Sequence, residues 1–137
     1  MGKNVRFFEG CIFKYPGEIE LGDNVTINQN CFIVGKGGLV LGNDIMMGAG
    51  CKVVTTSHNA FTTDVPMREQ GMTTEKITIG DDVWFGFDVI VLQGCKIGKG
   101  VILAAGCVLA SKETGDYTIW GGVPAKKIAS RKGDANL

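Results

Sequence analysis

The chain repeats itself every six residues, and that period decides most of what it can fold into. With an apolar residue at position one, hexads run Phe7–Ile12, Leu21–Thr26, Ile27–Phe32, Leu41–Met46, Met47–Lys52, Ile79–Trp84, Phe85–Ile90, Val91–Lys96, Ile97–Ile102 and Leu103–Val108. In each of them position four is Gly, Asn or Asp, the residue types that best tolerate the positive φ of a tight corner. Position five is always Cys, Val or Ile, and all five cysteines of the chain fall there. A residue type confined to one inward position is packing material, so the cysteines are expected to be reduced and inert. Their odd number, with no CxxC pair, argues against a disulfide framework and a structural zinc site.

A short strand, a corner residue and an inward apolar residue make one side of a prism. Three sides make a coil of 18 residues, the spacing from Ile79 to Ile97; Leu21 to Leu41 spans 20. The extra residues, in Phe13–Glu20 and Ile33–Val40, fall at the third corner, and so does the long interruption Val54–Lys76. Irregularity therefore stacks along one edge. The expectation is a single domain over 1–137, all-β, of about five coils: 1–20, 21–40, 41–78, 79–96 and 97–114. At about 4.8 Å per rung the prism is about 24 Å tall. Its ends expose sheet edges that need covering. Ile119–Arg131 is expected to cover one end as a short helix begun at Pro124, with the last residues, GDANL, frayed.

Charge excludes some functions. Fourteen basic residues balance fourteen acidic ones with no basic block, so nucleic acid is not an expected partner. MGKNVRFFEGCIF lacks the apolar core of a secretion signal, and no apolar run approaches the roughly 20 residues of a membrane span. The expected compartment is the cytoplasm.

Four further motifs accompany the repeat: TTSHN at 55–59, PMREQG at 66–71, ITIGDDVWFG at 77–86 and GGVPAKKI at 121–128. Together they resemble the hexapeptide-repeat acyltransferases, especially the maltose, galactoside and capsular-polysaccharide O-acetyltransferases, over residues 20 to 131. The resemblance implies a left-handed parallel β-helix, a homotrimer with active sites between subunits, acetyl-CoA as acyl donor and no metal. A thin prism buries little on its own, which fits association.

His58, the only histidine, matches the family's catalytic base and opens the one large interruption of the repeat. A sugar hydroxyl is a poor nucleophile toward a thioester, and a neutral imidazole can take its proton as attack begins. The oxyanion then needs a backbone N–H, for which Gly86 and Phe87 are the candidates. Asn28 matches the asparagine that holds the acceptor; the alternative is an outward repeat position. Trp84 points outward, toward either an acceptor or a neighbouring subunit. Arg68, with Asp64 and Met67, lies in the loop 61–71, which either reaches over a cleft or is tied down by its own Asp–Arg contacts. For coenzyme A, Gly86, Ala105 and Gly106 match turn positions used by relatives. Lys126 matches a contact to the nucleotide phosphates, with Arg131, Lys112 and Lys127 as further candidates.

The chain starts almost directly in its repeat, without the N-terminal segment of the maltose and galactoside branch. That favours the polysaccharide-biosynthesis branch, acting on a capsule or lipopolysaccharide sugar. Rival functions are an N-acetyltransferase of an amino sugar or antibiotic, and a non-catalytic scaffold. The zinc carbonic anhydrases of this architecture need several histidines, and one is too few.

Overall fold

The computed structural model describes residues 1–110 and 112–131. The six-residue period becomes a three-sided, left-handed parallel β-helix. The first face stacks Arg6–Phe7, Thr26–Ile27, Met46–Met47, Trp84–Phe85, Ile102–Leu103 and Thr118–Gly121. The second stacks Ile12–Lys14, Phe32–Val34, Lys52–Val54, Ile90–Val91 and Val108–Leu109. The third stacks Ile19–Leu21, Leu39–Leu41, Ile77–Ile79 and Lys96–Ile97. Parallel register superposes the hexads: Phe7, Ile27, Met47, Phe85, Leu103 and Trp120 form one column on the first face.

The corners follow from residue type. All ten position-four residues have positive φ, from 55° at Asp82 to 80° at Gly10. Position-five residues are buried from Val25 to Cys107, with only Cys11 of the first coil half-exposed. The core is thus a shaft of alternating position-one and position-five side chains. At the corner between the third and first faces, side chains tie each coil to the next. Asn4 donates to Asn24 Oδ1 at 3.0 Å, and Asn24 donates to Asp44 Oδ1 at 3.1 Å. The backbone N–H groups of Lys3, Asp23 and Asn43 donate to the Oδ1 atoms of Asp23, Asn43 and Asp81, each at 2.8 Å.

Two differences from expectation stand out. The stack has five coils and then the first side of a sixth, because Thr118–Gly121 adds in parallel register to Ile102–Leu103. The cap over 119–131 is not a helix. Thr118–Gly121 turns back through Gly122–Ala125 into Lys126–Ser130 as an antiparallel pair. Pro124, in a cis peptide, stands in this turn instead of opening a helix. The turn is anchored to the coil below: Val108 N–H donates to Gly122 O at 3.1 Å and Ala125 N–H donates to Val108 O at 2.8 Å. The stretch GDANL lies outside the described residues. Among the described residues no helix is long and apolar enough to cross a membrane.

Candidate active site

The interruption at 54–76 leaves the corner between the second and third faces as an antiparallel hairpin. Thr56–His58 pairs with Met72–Thr74, His58 opposite Met72. A strand with one partner standing off the prism carries its side chains into solvent, and His58 is exposed. Its ring lies between two hollows. One, of about 380 Å³, runs down the outer surface of the second face past Met72, Val54 and Val34 to Lys14. The other, of about 410 Å³, is bounded by Asn59, Phe61, Thr73 and Glu75. Both offer room for a small molecule beside the imidazole.

No Asp64–Arg68 ion pair ties the loop beyond His58 among the described residues; Asp64 exchanges hydrogen bonds with Thr62 instead. Gln70 pins the loop. Its Oε1 accepts from the N–H groups of Phe61 and Thr62 at 2.8 and 3.2 Å, and its Nε2 donates to Thr62 O and Val65 O at 3.0 and 2.7 Å. Asn59 closes the base of the loop, donating to Gln70 O at 3.1 Å and accepting from Thr73 Oγ1 at 2.6 Å. Arg68 sits in the single helical turn Met67–Glu69, exposed. Sequence reasoning passed over Gln70 and Asn59, although both lie within motifs it quoted.

A second site lies one corner away, between the first and second faces. Trp84, Gly86, Phe87, Ile102 and Ala105 line a groove of about 360 Å³ with almost wholly apolar walls. Trp84 is 45% exposed, and its rung partners are Met46 and Ile102. A Cβ at Gly86 would stand 2.7 Å from Ala105 N, so the corner closes only around glycine. The Gly86 N–H donates to Leu103 O at 2.8 Å and is therefore spent, which removes it as an oxyanion donor. The N–H groups of Phe87 and Ala105 donate to no protein acceptor among the described residues. Gly106 N–H donates to Phe87 O at 2.8 Å, and its open side faces no atom within 4 Å. The expected groups Trp84, Gly86 and Ala105 thus meet in one groove, with Gly106 at the same corner.

Asn28 lies at this corner two coils lower, and its amide donates to Met47 O at 2.9 Å. Above the groove, the cap turn leads to Lys126, exposed and without an ion-pair partner among the described residues. Arg131 is engaged differently. Its guanidinium meets Asp82 Oδ2 at 3.0 Å and Gly100 O at 3.1 Å and lies 5.8 Å from the Tyr117 ring. It fastens the cap to the prism on the edge away from the groove.

Cys31, Cys51, Cys95 and Cys107 are sealed in the core, out of reach of a ligand. The hydrogen bond with Cys31, joined by burial, pushes the Cys51 thiol up, and burial pushes the Cys107 thiol up, while the same Cys31–Cys51 contact lowers the Cys31 thiol to about 7.

Each chain therefore carries the histidine on one edge of its second face and the groove on the other. The strands between these edges are only two or three residues long, so the separation is about 10 to 15 Å once the corners are included.

Residues 76–111 match the family described as bacterial transferase hexapeptide (six repeats). A galactoside acetyltransferase solved with coenzyme A superposes with a TM-score of 0.86 at 27% identity, over 95% of this chain and 64% of that one. A hexapeptide-repeat acetyltransferase from Vibrio cholerae O1 biovar eltor, solved with acetyl-coenzyme A, superposes with a TM-score of 0.82 at 27% identity, over 95% and 69%. Among curated sequences, a chloramphenicol acetyltransferase of Klebsiella aerogenes is 42% identical over 59 residues, 43% of this chain and 28% of that protein. The chain spans between 22% and 33% of the length of the curated relatives it matches.

Proposed function

We propose that this chain, which carries the transferase hexapeptide repeat on the coil of the acetyltransferases, is an acetyl-CoA-dependent O-acetyltransferase acting on a sugar hydroxyl. The observation that carries the reading is the pairing of a lone exposed imidazole, on an otherwise regular prism, with an apolar groove bearing the N–H groups of Phe87 and Ala105, unpaired among the described residues. The His58 imidazole takes the acceptor's hydroxyl proton as that oxygen attacks the thioester carbonyl. The Phe87 N–H receives the developing oxyanion. Collapse of the tetrahedral intermediate breaks the C–S bond, and the coenzyme A sulfur takes the proton back from the imidazolium. Trp84, Gly86, Ala105 and Gly106 hold the pantetheine arm, and Lys126 meets the nucleotide phosphates.

Because histidine and groove occupy different edges, the competent site needs two copies, His58 from one prism facing the groove of the next. A homotrimer closes that head-to-tail arrangement. Asn28 and Trp84 then face the acceptor from the groove side and Arg68 from the loop side. Such an enzyme works in the cytoplasm, where acetyl-CoA is made, on sugars destined for capsule or lipopolysaccharide. The match to chloramphenicol acetyltransferases supports a second reading, an antibiotic as acceptor, by transfer to oxygen or to nitrogen.

The test is coenzyme A release from acetyl-CoA in the presence of a panel of sugars, amino sugars and chloramphenicol. His58→Ala is expected to lower turnover at least about a hundredfold, the scale of a lost general base, with the assembly unchanged on a sizing column. A purified chain that neither binds nor hydrolyses acetyl-CoA would favour the scaffold.

A further inference from the structure

We infer that the acceptor carries a negative charge, a carboxylate or a phosphate, received by Lys14 and Lys36 in the groove beside His58; this rests on the acetyl-transfer reading above. The groove is built by register. Lys14, Val34 and Val54 are the outward residues of three successive rungs of the second face, and the His58 strand follows directly from Val54. At about 4.8 Å per rung, Lys14 lies about 10 Å from the root of the hairpin, within the span of one pyranose ring and an extended lysine. Val34 is 6% exposed and gives an apolar floor, while Tyr15 is half-exposed and gives an aromatic wall. A wall of that kind suits the apolar face of a sugar ring.

The charges in this groove have one sign. Lys36 Nζ stands 5.4 Å from the Tyr15 ring centroid, which fixes the ammonium over the wall. No carboxylate lines the groove among the described residues. The nearby Glu18 is turned aside, accepting from Gly37 N–H at 3.3 Å. Neither lysine forms an ion pair among the described residues, where the pairs are Lys96–Glu113 and Arg131–Asp82. Two ammonium groups on the same face as the imidazole, with no carboxylate in the groove lining and no ion pair to either lysine among the described residues, suit an anionic ligand and disfavour a cationic amino sugar. The chain's net charge of zero makes this local excess a property of the groove and not of the whole surface.

The experiment is calorimetric titration of the full chain, without acetyl-CoA, with glucose, glucuronate, glucose 6-phosphate and inorganic phosphate. At least one charged sugar is expected to bind about tenfold or more tighter than glucose. The two charged sugars distinguish a carboxylate from a phosphate. Lys14→Gln with Lys36→Gln is expected to erase the preference, and Lys14→Arg with Lys36→Arg to keep it. Glucose binding as well as its charged counterparts, or the glutamine variant binding like the parent, would overturn the inference. Inorganic phosphate binding as tightly as the sugar phosphate would reduce the groove to a bare anion site and overturn it too. Binding is read without turnover, so a failure of acetyl transfer and a failure of charge selection remain separate results.

Discussion

His58 reaches solvent because the strand that bears it leaves the prism and finds only one partner, and Gln70 keeps that hairpin and its loop in one arrangement. Four hydrogen bonds converge on the Gln70 amide, each worth about 0.5–1.5 kcal/mol net when made. Gln70→Ala is expected to speed proteolysis between Phe61 and Arg68 at least several-fold and to lower turnover about tenfold, with little change in global unfolding. Hydrogen exchange of the Phe61 and Thr62 amides would check it: protection unchanged in the variant would show that the loop is held by something else. At this scale the sequence was only partly legible. The imidazole stood out because it is alone and interrupts a period. Gln70 did not, since its role depends on which backbone groups the folded loop points inward, and no spacing encodes that. The Gly86 N–H was misjudged for a related reason, because its carbonyl partner on the next rung appears only with the register.

At the scale of the element, the rung is the unit, and its corner residue sets the geometry. Asn24 combines two demands: it holds φ at 58° and links its coil to the coils on either side. Asn24→Ala is expected to destabilise the fold by about 2 kcal/mol, through left-handed strain and two lost hydrogen bonds, read as a lower urea midpoint at unchanged slope. A midpoint within error of the parent would contradict the ladder's contribution. The corners and the inward columns were legible because position four and position five are chemically restricted in hexad after hexad. The sixth rung was hidden by its own residues. Tyr117 stands at the corner with φ of 55°, Thr118 takes the inward place usually held by Cys or Val, and Trp120 ends the column. Pro124 with Lys126 and Lys127 beyond it imitates a helix, whereas Thr118–Gly121 offers the backbone a sheet edge, and pairing with it satisfies groups a helix would have left open.

At the scale of the whole molecule, the prism separates the two groups that the proposed reaction must unite. The histidine edge and the groove edge lie at different corners of one thin, three-sided stack. Catalysis by this account requires a ring in which each prism lends its histidine to the next. Mixing two inactive variants tests this most directly. His58→Ala keeps its groove and loses its base, and Ala105→Trp keeps its base and fills its groove. After co-refolding of an equal mixture, one head-to-tail interface in about four pairs an intact histidine with an intact groove, so activity should return to about a quarter of the parent's. Two variants that are each inactive alone and stay inactive when mixed would contradict a site shared between chains.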